Sequence, residues 1–157
     1  MIRLQTVQKT DRDLLWNIFQ KYMYEMSCIY QDEMDENGNY PYEYFEEYFS
    51  DPQRQAYLIY NDNTLIGFAM LCPYSCMEGG EPDHTMAEFT IFPAFRGQHY
   101  ALEAVKMILE NHRGKWEIKY NEKNFGAKKL WNDIAKPYAP QVFQLEEEET
   151  VLVFDTE

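Results

Sequence analysis

Basic residues are scarce in this chain of 157 residues: 14 Lys and Arg stand against 27 Asp and Glu, a formal charge of −13. Nucleic-acid duplexes and anionic membranes are bound through clustered Lys and Arg, so neither is expected as a partner. No basic stripe interleaved with aromatics offsets that balance. Small cationic molecules such as amines are tolerated or drawn in by an acidic surface, although acidity is also ordinary among soluble proteins. Long apolar runs are missing too, and none approaches the ~18 residues of a membrane span. The opening MIRLQTVQKTDRDLL lacks the apolar stretch of a secretory signal, so a cytoplasmic location is expected. Cysteine is limited to Cys28, Cys72 and Cys76. An odd number without framework spacing points to reduced thiols. Cys72 and Cys76 have no nearby Cys or His pair to complete a metal site, and none is expected. Gly-x-Ser-x-Gly, Walker and zincin motifs are absent, which removes the usual footholds for a hydrolase or a nucleoside triphosphatase.

What is present is apolar and patterned. At 45% hydrophobic and 17% aromatic, the chain can bury a core without staples, and its length fits a single domain over 1–157. IRLQTV alternates as a first strand, and Thr10 or Asp11 stands before a helix with Leu14, Leu15, Ile18, Phe19, Tyr22 and Met26 at helical spacing. PYEYFEEYF, with proline at its start and Phe45 and Phe49 one turn apart, predicts a short second helix. Two apolar runs flanking Asn61-Asp62-Asn63 predict a β-hairpin. HTMAEFTIF follows as a strand, GQHYALEAVKMILENH as a helix stopped by Gly114, KWEIKY as a strand and NFGAKKLWNDIA as a short helix. QVFQL and TVLVF bracket a charged turn and close the chain as a hairpin. The order β-α-α-β-β-β-α-β-α-β-β implies a mixed α/β fold, a largely antiparallel sheet flanked by helices.

The stretch FPAFRGQHYALEAV joins a strand to a helix through Arg96 and Gly97. A pyrophosphate needs several backbone N–H groups converging at a helix N-terminus, with glycine where the backbone must come close or take positive φ. FRGQHYA meets that need in outline. From Glu88 to Ala135 the chain resembles the GNAT superfamily of acetyl-coenzyme A-dependent N-acetyltransferases. The signature is Arg or Gln, two residues, Gly, one residue, then Gly or Ala; here it stands as Arg96-Gly97-Gln98-His99-Tyr100-Ala101, with His99 in the place of a glycine. HRGKWEIKYNEKNFGAKKLW is similar to the family's fifth strand, a splayed break and an Asn-x-x-Ala-x-x-Leu-aromatic helix. Its Gly-Lys-Trp-Glu element is similar to that of a subgroup of small bacterial proteins read as acetyltransferases.

The resemblance implies a GNAT-like acyl-CoA N-acyltransferase fold and acetyl-CoA as co-substrate, with a primary amine of a small molecule or peptide as acceptor. It implies that Arg96, Gly97, Gln98, His99, Tyr100 and Ala101 cradle the pyrophosphate and that Asn124 contacts the cofactor, unless Asn124 is simply a helix cap. Phe89 to Phe92 would hold the pantetheine arm as an added strand, with Phe89 and Ile91 supplying backbone groups. A positive φ at His99 would strain that turn by roughly 1–3 kcal/mol.

Glu88 interrupts an apolar strand, and a half-buried carboxylate there would have its pKa raised toward the range of a general base; a solvated or lysine-paired Glu88 is the alternative. Asp83 and His84 are weaker candidates. The family's acid is often a tyrosine at the aromatic end of the Asn-x-x-Ala helix, where this chain has Trp131. Either Tyr120 or Tyr138 substitutes, or the thiolate leaves unaided. The region between the first two helices lines the acceptor site in the family, and its tyrosines with Glu43, Glu46 and Glu47 would suit a cationic amine. Glu33, Asp35, Asn37 and Gly38 mimic half a calcium loop, but Tyr44 stands where the bidentate Glu belongs, so an acidic loop is expected. A homodimer through the C-terminal strands is also compatible with the resemblance. Two further readings stay open: a non-catalytic acyl-CoA-binding sensor, and an interaction protein that keeps the fold without a cofactor.

Overall fold

A computed structural model describes residues 1–157. One seven-stranded sheet runs in the order β1-β2-β3-β4-β5-β7-β6. Its strands are β1 (Ile2–Thr6), β2 (Gln55–Asn61), β3 (Thr64–Cys72), β4 (His84–Ile91), β5 (Lys115–Asn121), β6 (Gln141–Gln144) and β7 (Glu149–Asp155). Every neighbouring pair is antiparallel except β4 with β5. Three helices cover the two faces: α1 (Arg12–Tyr30), α2 (Tyr100–Asn111) and α3 (Phe125–Ala135). No helix is long and apolar enough to cross a membrane.

The alternation of side chains along the strands assigns the two cores. Ala56 and Leu58 of β2 point to the α1 face, where Leu15, Ile18 and Phe19 meet Phe45, Phe68 and Met70. Tyr57 and Ile59 point the other way, into the larger core that α2 and α3 close with Val105, Ile108, Trp131 and Ile134. The apolar stripe expected on α1 is mostly confirmed, although Leu14 lies at its edge and is 38% exposed. The turn before α1 is fixed reciprocally: the Gln8 N–H donates to the Asp11 carboxylate, and the Asp11 N–H donates to the Gln8 carbonyl.

The second α-helix expected over Pro41–Phe49 does not form. Turns lead into a 3-10 turn at Glu46–Phe49, with the N–H groups of Phe45, Glu47, Tyr48 and Ser50 donating to carbonyls three residues back. In that tighter winding residues i and i+3 share a face, so Phe45 and Tyr48 are buried together while Phe49 is only partly covered. A segment dense in Tyr and Phe has little intrinsic helix preference, and tertiary packing decides its winding. The observed order is therefore β-α-β-β-β-α-β-α-β-β, with the mixed, largely antiparallel class unchanged.

Both hairpins form as expected. Asp62 takes a left-handed φ of 53° in the first, and Glu147 and Glu148 take φ of 58° and 62° in the second, the conformation of a tight hairpin turn. Two register shifts bend the middle of the sheet. Ile66 is the extra residue of β3 against β2, and Ala87 is the extra residue of β4 against β3. Between them Gly67 lies opposite Ile91, and a Cβ on Gly67 would stand 2.2 Å from the Thr90 carbonyl oxygen. The close approach of β3 and β4 at that point depends on glycine.

Candidate active site

The centre of the sheet is split. β4 and β5 pair only through His84–Trp116, Thr85–Glu117 and Met86–Ile118. Beyond them Ala87–Ile91 and Lys119–Asn121 run on without pairing, β4 still bonded to β3 and β5 still bonded to β7. The Phe92 N–H donates to the Ile66 carbonyl on the β3 side. Alternation along the strand then turns the backbone groups of Ile91 and Phe89 into the gap. The Ile91 carbonyl already accepts a bond from Arg96 Nε at 2.7 Å, so Ile91 offers its N–H to the gap while its carbonyl is engaged. This is the geometry of a strand edge able to take one more extended chain.

At the mouth of the gap, β4 passes through Pro93–Phe95 into the turn before α2. The N–H groups of Phe95 and Arg96 are used within the turn, but those of Gly97, Gln98, His99, Tyr100, Ala101 and Leu102 have no acceptor in the protein. Six consecutive free amides at a helix N-terminus, where the helix dipole is positive, form an anion cradle. Gly97 has φ of 79° and His99 has φ of 65°. His99 thus adopts the backbone of the glycine it replaces, and its exposed imidazole makes no bond that blocks the amides. A Cβ on Gly97 would meet nothing within 4 Å, so the space before the cradle is open. Left-handed φ costs an L-residue about 1–2 kcal/mol. The variant His99→Gly should therefore raise stability by about 0.5–1 kcal/mol, read as a higher thermal midpoint, with KM for acetyl-CoA unchanged.

Glu88 stands two residues past the last β4–β5 pair, half-buried, on the α1 face of β4. Tyr22 of α1 donates its hydroxyl to Glu88 Oε2 at 3.0 Å. Burial raises the Glu88 carboxyl from the usual 4.5 to about 7, against the opposing pull of the Tyr22 bond and of Lys119. A carboxylate poised at that value can take a proton near neutral pH and give it up again. Burial and the Glu88 charge also keep the Tyr22 and Tyr42 hydroxyls protonated. The one direct partner of Glu88 is a tyrosine and not a lysine.

Phe89 and Ile91 face the opposite side, with Phe89 edge-on to Trp131 of α3 at a centroid distance of 5.3 Å. Tyr120, two residues past the last paired residue of β5, is buried on that same side. Its oxygen accepts a bond from Asn132 Nδ2 at 3.0 Å, and its own proton has no acceptor in the protein. Tyr138 is elsewhere: it stacks on Phe154, the β7 partner of Trp116, at the closed end of the split. Asp83 accepts from the Lys115 N–H and His84 packs on Trp116, both also at the closed end. Asn124 caps α3, its Oδ1 accepting from the Ala127 N–H at 3.1 Å. Its amide nitrogen has only the Met26 sulfur beside it, at 4.0 Å, so the cap leaves that donor weakly used. The Arg96 guanidinium, although exposed, forms a two-pronged pair with Glu25 of α1, both bonds 2.7 Å.

The sequence model of the Acetyltransferase (GNAT) family matches residues 14–138, well over half of the chain. The chain belongs to this family. No curated protein matches it by sequence. The fold is shared with an acetyltransferase from Thermus thermophilus, at 18% identity and TM-score 0.68 over 99% of this chain and 97% of that one. It is shared with the aminoglycoside acetyltransferase AAC(6')-Ib, solved with coenzyme A, at 10% identity and TM-score 0.72 over 99% and 95%. It is also shared with spermidine N-acetyltransferase from Vibrio cholerae, solved with CoA and spermine, at 15% identity and TM-score 0.66 over 97% and 92%.

This GNAT protein is thus an acetyltransferase whose co-substrate is acetyl-CoA, and the free amides and open strand edge fit such a ligand. On the acceptor side, part of the expected region is engaged within the chain. Tyr44, Tyr48 and Tyr74 surround the chain's own Arg54, whose Cζ lies 4.6, 5.6 and 4.9 Å from their rings. Glu46 pairs with Arg12, and Glu47 lies 3.4 Å from Arg54 Nε. Arg12 and Arg54 thus already engage these groups, and the tyrosines around Glu88 are Tyr22 and Tyr30 of α1 together with Tyr42 of the expected region. Asp35 is used by a turn, its Oδ1 accepting from the N–H groups of Asn37 and Asn39, and no group of three His, Cys, Asp or Glu could hold a metal. Sequence reasoning counted Tyr22 only as part of an apolar stripe and passed over Glu25. The available signal was a hydroxyl inside that stripe, and a carboxylate one turn beyond it.

Proposed function

We propose that this acetyltransferase is a cytoplasmic enzyme that transfers the acetyl group of acetyl-CoA to a primary amine of a small molecule or peptide. The observation that carries the reading is the position of Glu88, a half-buried carboxylate held by Tyr22 where β4 and β5 part, its pKa raised by burial to about 7. Acetyl-CoA, when bound, supplies the thioester. The amides of Gly97 to Leu102, including Gln98, His99, Tyr100 and Ala101, bind the diphosphate, while Phe89 and Ile91 hold the pantetheine arm. Arg96 serves this site through Glu25 and the Ile91 carbonyl, and the Asn124 amide is a further donor for the arm. Glu88 removes a proton from the ammonium group, directly or through water. The amine nitrogen then bonds to the acyl carbon as the C–S bond breaks. Tyr120 gives its free proton to the departing sulfur, and the second proton that the nitrogen loses as the amide forms restores Tyr120 through water. Three free cysteines support a reducing compartment. A homodimer through the C-terminal strands belongs to the same reading, since β6 is an edge strand with all four residues exposed.

The test is a broad amine screen with detection of released CoA. At least one amine should give acetyl-CoA-dependent thiol release. Calorimetric CoA binding without acetylation of any amine would instead identify a sensor. The absence of any thermal shift at millimolar CoA would remove the cofactor altogether. For the acid, Tyr120→Phe should lower kcat by about 10–100-fold with KM for acetyl-CoA unchanged. An unchanged kcat would mean that the thiolate leaves unaided.

A further inference from the structure

Across the α1 face of the sheet, Tyr22 is held in place from three sides. Its ring lies edge-on to Phe68 at 5.4 Å and beside Phe19 at 6.0 Å, and its hydroxyl donates to Glu88 Oε2. The other carboxylate oxygen, Oε1, has no partner in the protein. One turn along α1, Glu25 is gripped by Arg96, which also holds the Ile91 carbonyl. Helix α1 is therefore tied to β4 at two points, one at Glu88 and one where the cradle of free amides begins.

We propose that Tyr22 is a positioning residue for acetyl transfer, fixing Glu88 Oε2 so that Oε1 alone is presented to the proton of the acceptor amine. This rests on the reading of Glu88 as the base. A glutamate side chain turns freely about its last bond, so an unheld carboxylate would divide its time between orientations. Burial alone also favours the protonated acid, which cannot act as a base, and a hydroxyl donated to the ionised form opposes that tendency. The other groups around Glu88 do not duplicate this. Lys119 of β5 favours the charged form and Asp32, just after α1, disfavours it, both through space. Tyr30, Tyr42, Tyr48 and Cys72 are held protonated by burial and carry no charge at neutral pH. Tyr22 makes the only hydrogen bond to the carboxylate.

The variant Tyr22→Phe keeps the ring and its packing and deletes one oxygen. Carbon-13 NMR titration of the glutamate carboxyls, with Glu88 assigned by the spectrum of Glu88→Gln, reads the effect without any acceptor. The Glu88 midpoint is expected to rise by about one pH unit in Tyr22→Phe. With the amine that the screen returns, the limb of the kcat profile should move up by the same amount while KM for acetyl-CoA stays fixed. A midpoint that is unmoved or lowered overturns the proposal, even if Glu88→Gln abolishes turnover. A raised midpoint with full turnover in Glu88→Gln instead removes Glu88 as the base, and the positioning role with it.

Discussion

Replacing Glu88 by glutamine is expected to lower kcat by about 10²–10⁴-fold near neutral pH, the usual worth of a positioned general base. KM for acetyl-CoA should not change, because the side chain points to the α1 face, away from Phe89 and Trp131. Turnover by the parent enzyme should rise as pH passes about 7, where Glu88 loses its proton, and the variant should lose that limb. Stability should respond in the opposite sense. The Glu88 pKa is higher folded than unfolded, so the folded chain binds the extra proton between 4.5 and about 7. Over that window the parent loses stability as pH rises. Glutamine cannot ionise and is free of the loss, so the variant should be more stable above pH 7 by up to about 3 kcal/mol, with no advantage below the unfolded carboxylate range. Denaturant midpoints of both proteins at pH 4 and pH 8 measure this. A variant equally stable at both pH values relative to the parent would mean that Glu88 is solvated. A gain in stability paired with a loss of turnover is the expected mark of a group strained for chemistry rather than for packing.

Much of this candidate site was legible because its parts are local in sequence. The cradle is a run of backbone amides from Gly97 to Leu102, and a strand, a turn with glycine and a helix suffice to predict it. Glu88 announced itself as a charge inside the apolar run HTMAEFTIF. The split between β4 and β5 was accessible only through the family resemblance, since strand pairing depends on which residues of distant segments bond, not on their identity. Contacts across long stretches of chain were not accessible at all. Tyr22 and Glu88 are 66 residues apart, Arg96 and Glu25 are 71 apart, and no periodicity relates them. The segment Pro41–Phe49 failed for a related reason: helix and 3-10 spacing differ by under one residue per turn, and the choice fell to what Phe45 and Tyr48 could reach in the core.

The same limitation hid Gly67, which lies far from the chemistry in sequence and carries the largest expected loss of stability. A methyl group at Gly67 would sit 2.2 Å from the Thr90 carbonyl oxygen and 3.1 Å from Ile91 Cα. Both obstacles are backbone, so no side-chain rotation relieves them and β4 must move away from β3. Gly67→Ala is therefore expected to destabilise the fold by about 3 kcal/mol, at the upper end of overpacking costs. The displaced strand is the one whose Phe89 and Ile91 edge faces the gap, so the gap narrows as β4 shifts toward β5. The fraction of Gly67→Ala that folds should bind CoA at least about tenfold more weakly, since an added strand depends on alignment of its backbone bonds. Gly126→Ala supplies the control. A Cβ there meets nothing closer than 3.9 Å, within α3, and alanine in a helix should stabilise by about 0.5–1 kcal/mol with CoA affinity intact. Chemical denaturation and calorimetry on the two variants separate the cases. Undiminished CoA binding in Gly67→Ala would show that the cofactor does not use the β4 edge, and with it would fall the strand-like seating of the pantetheine arm.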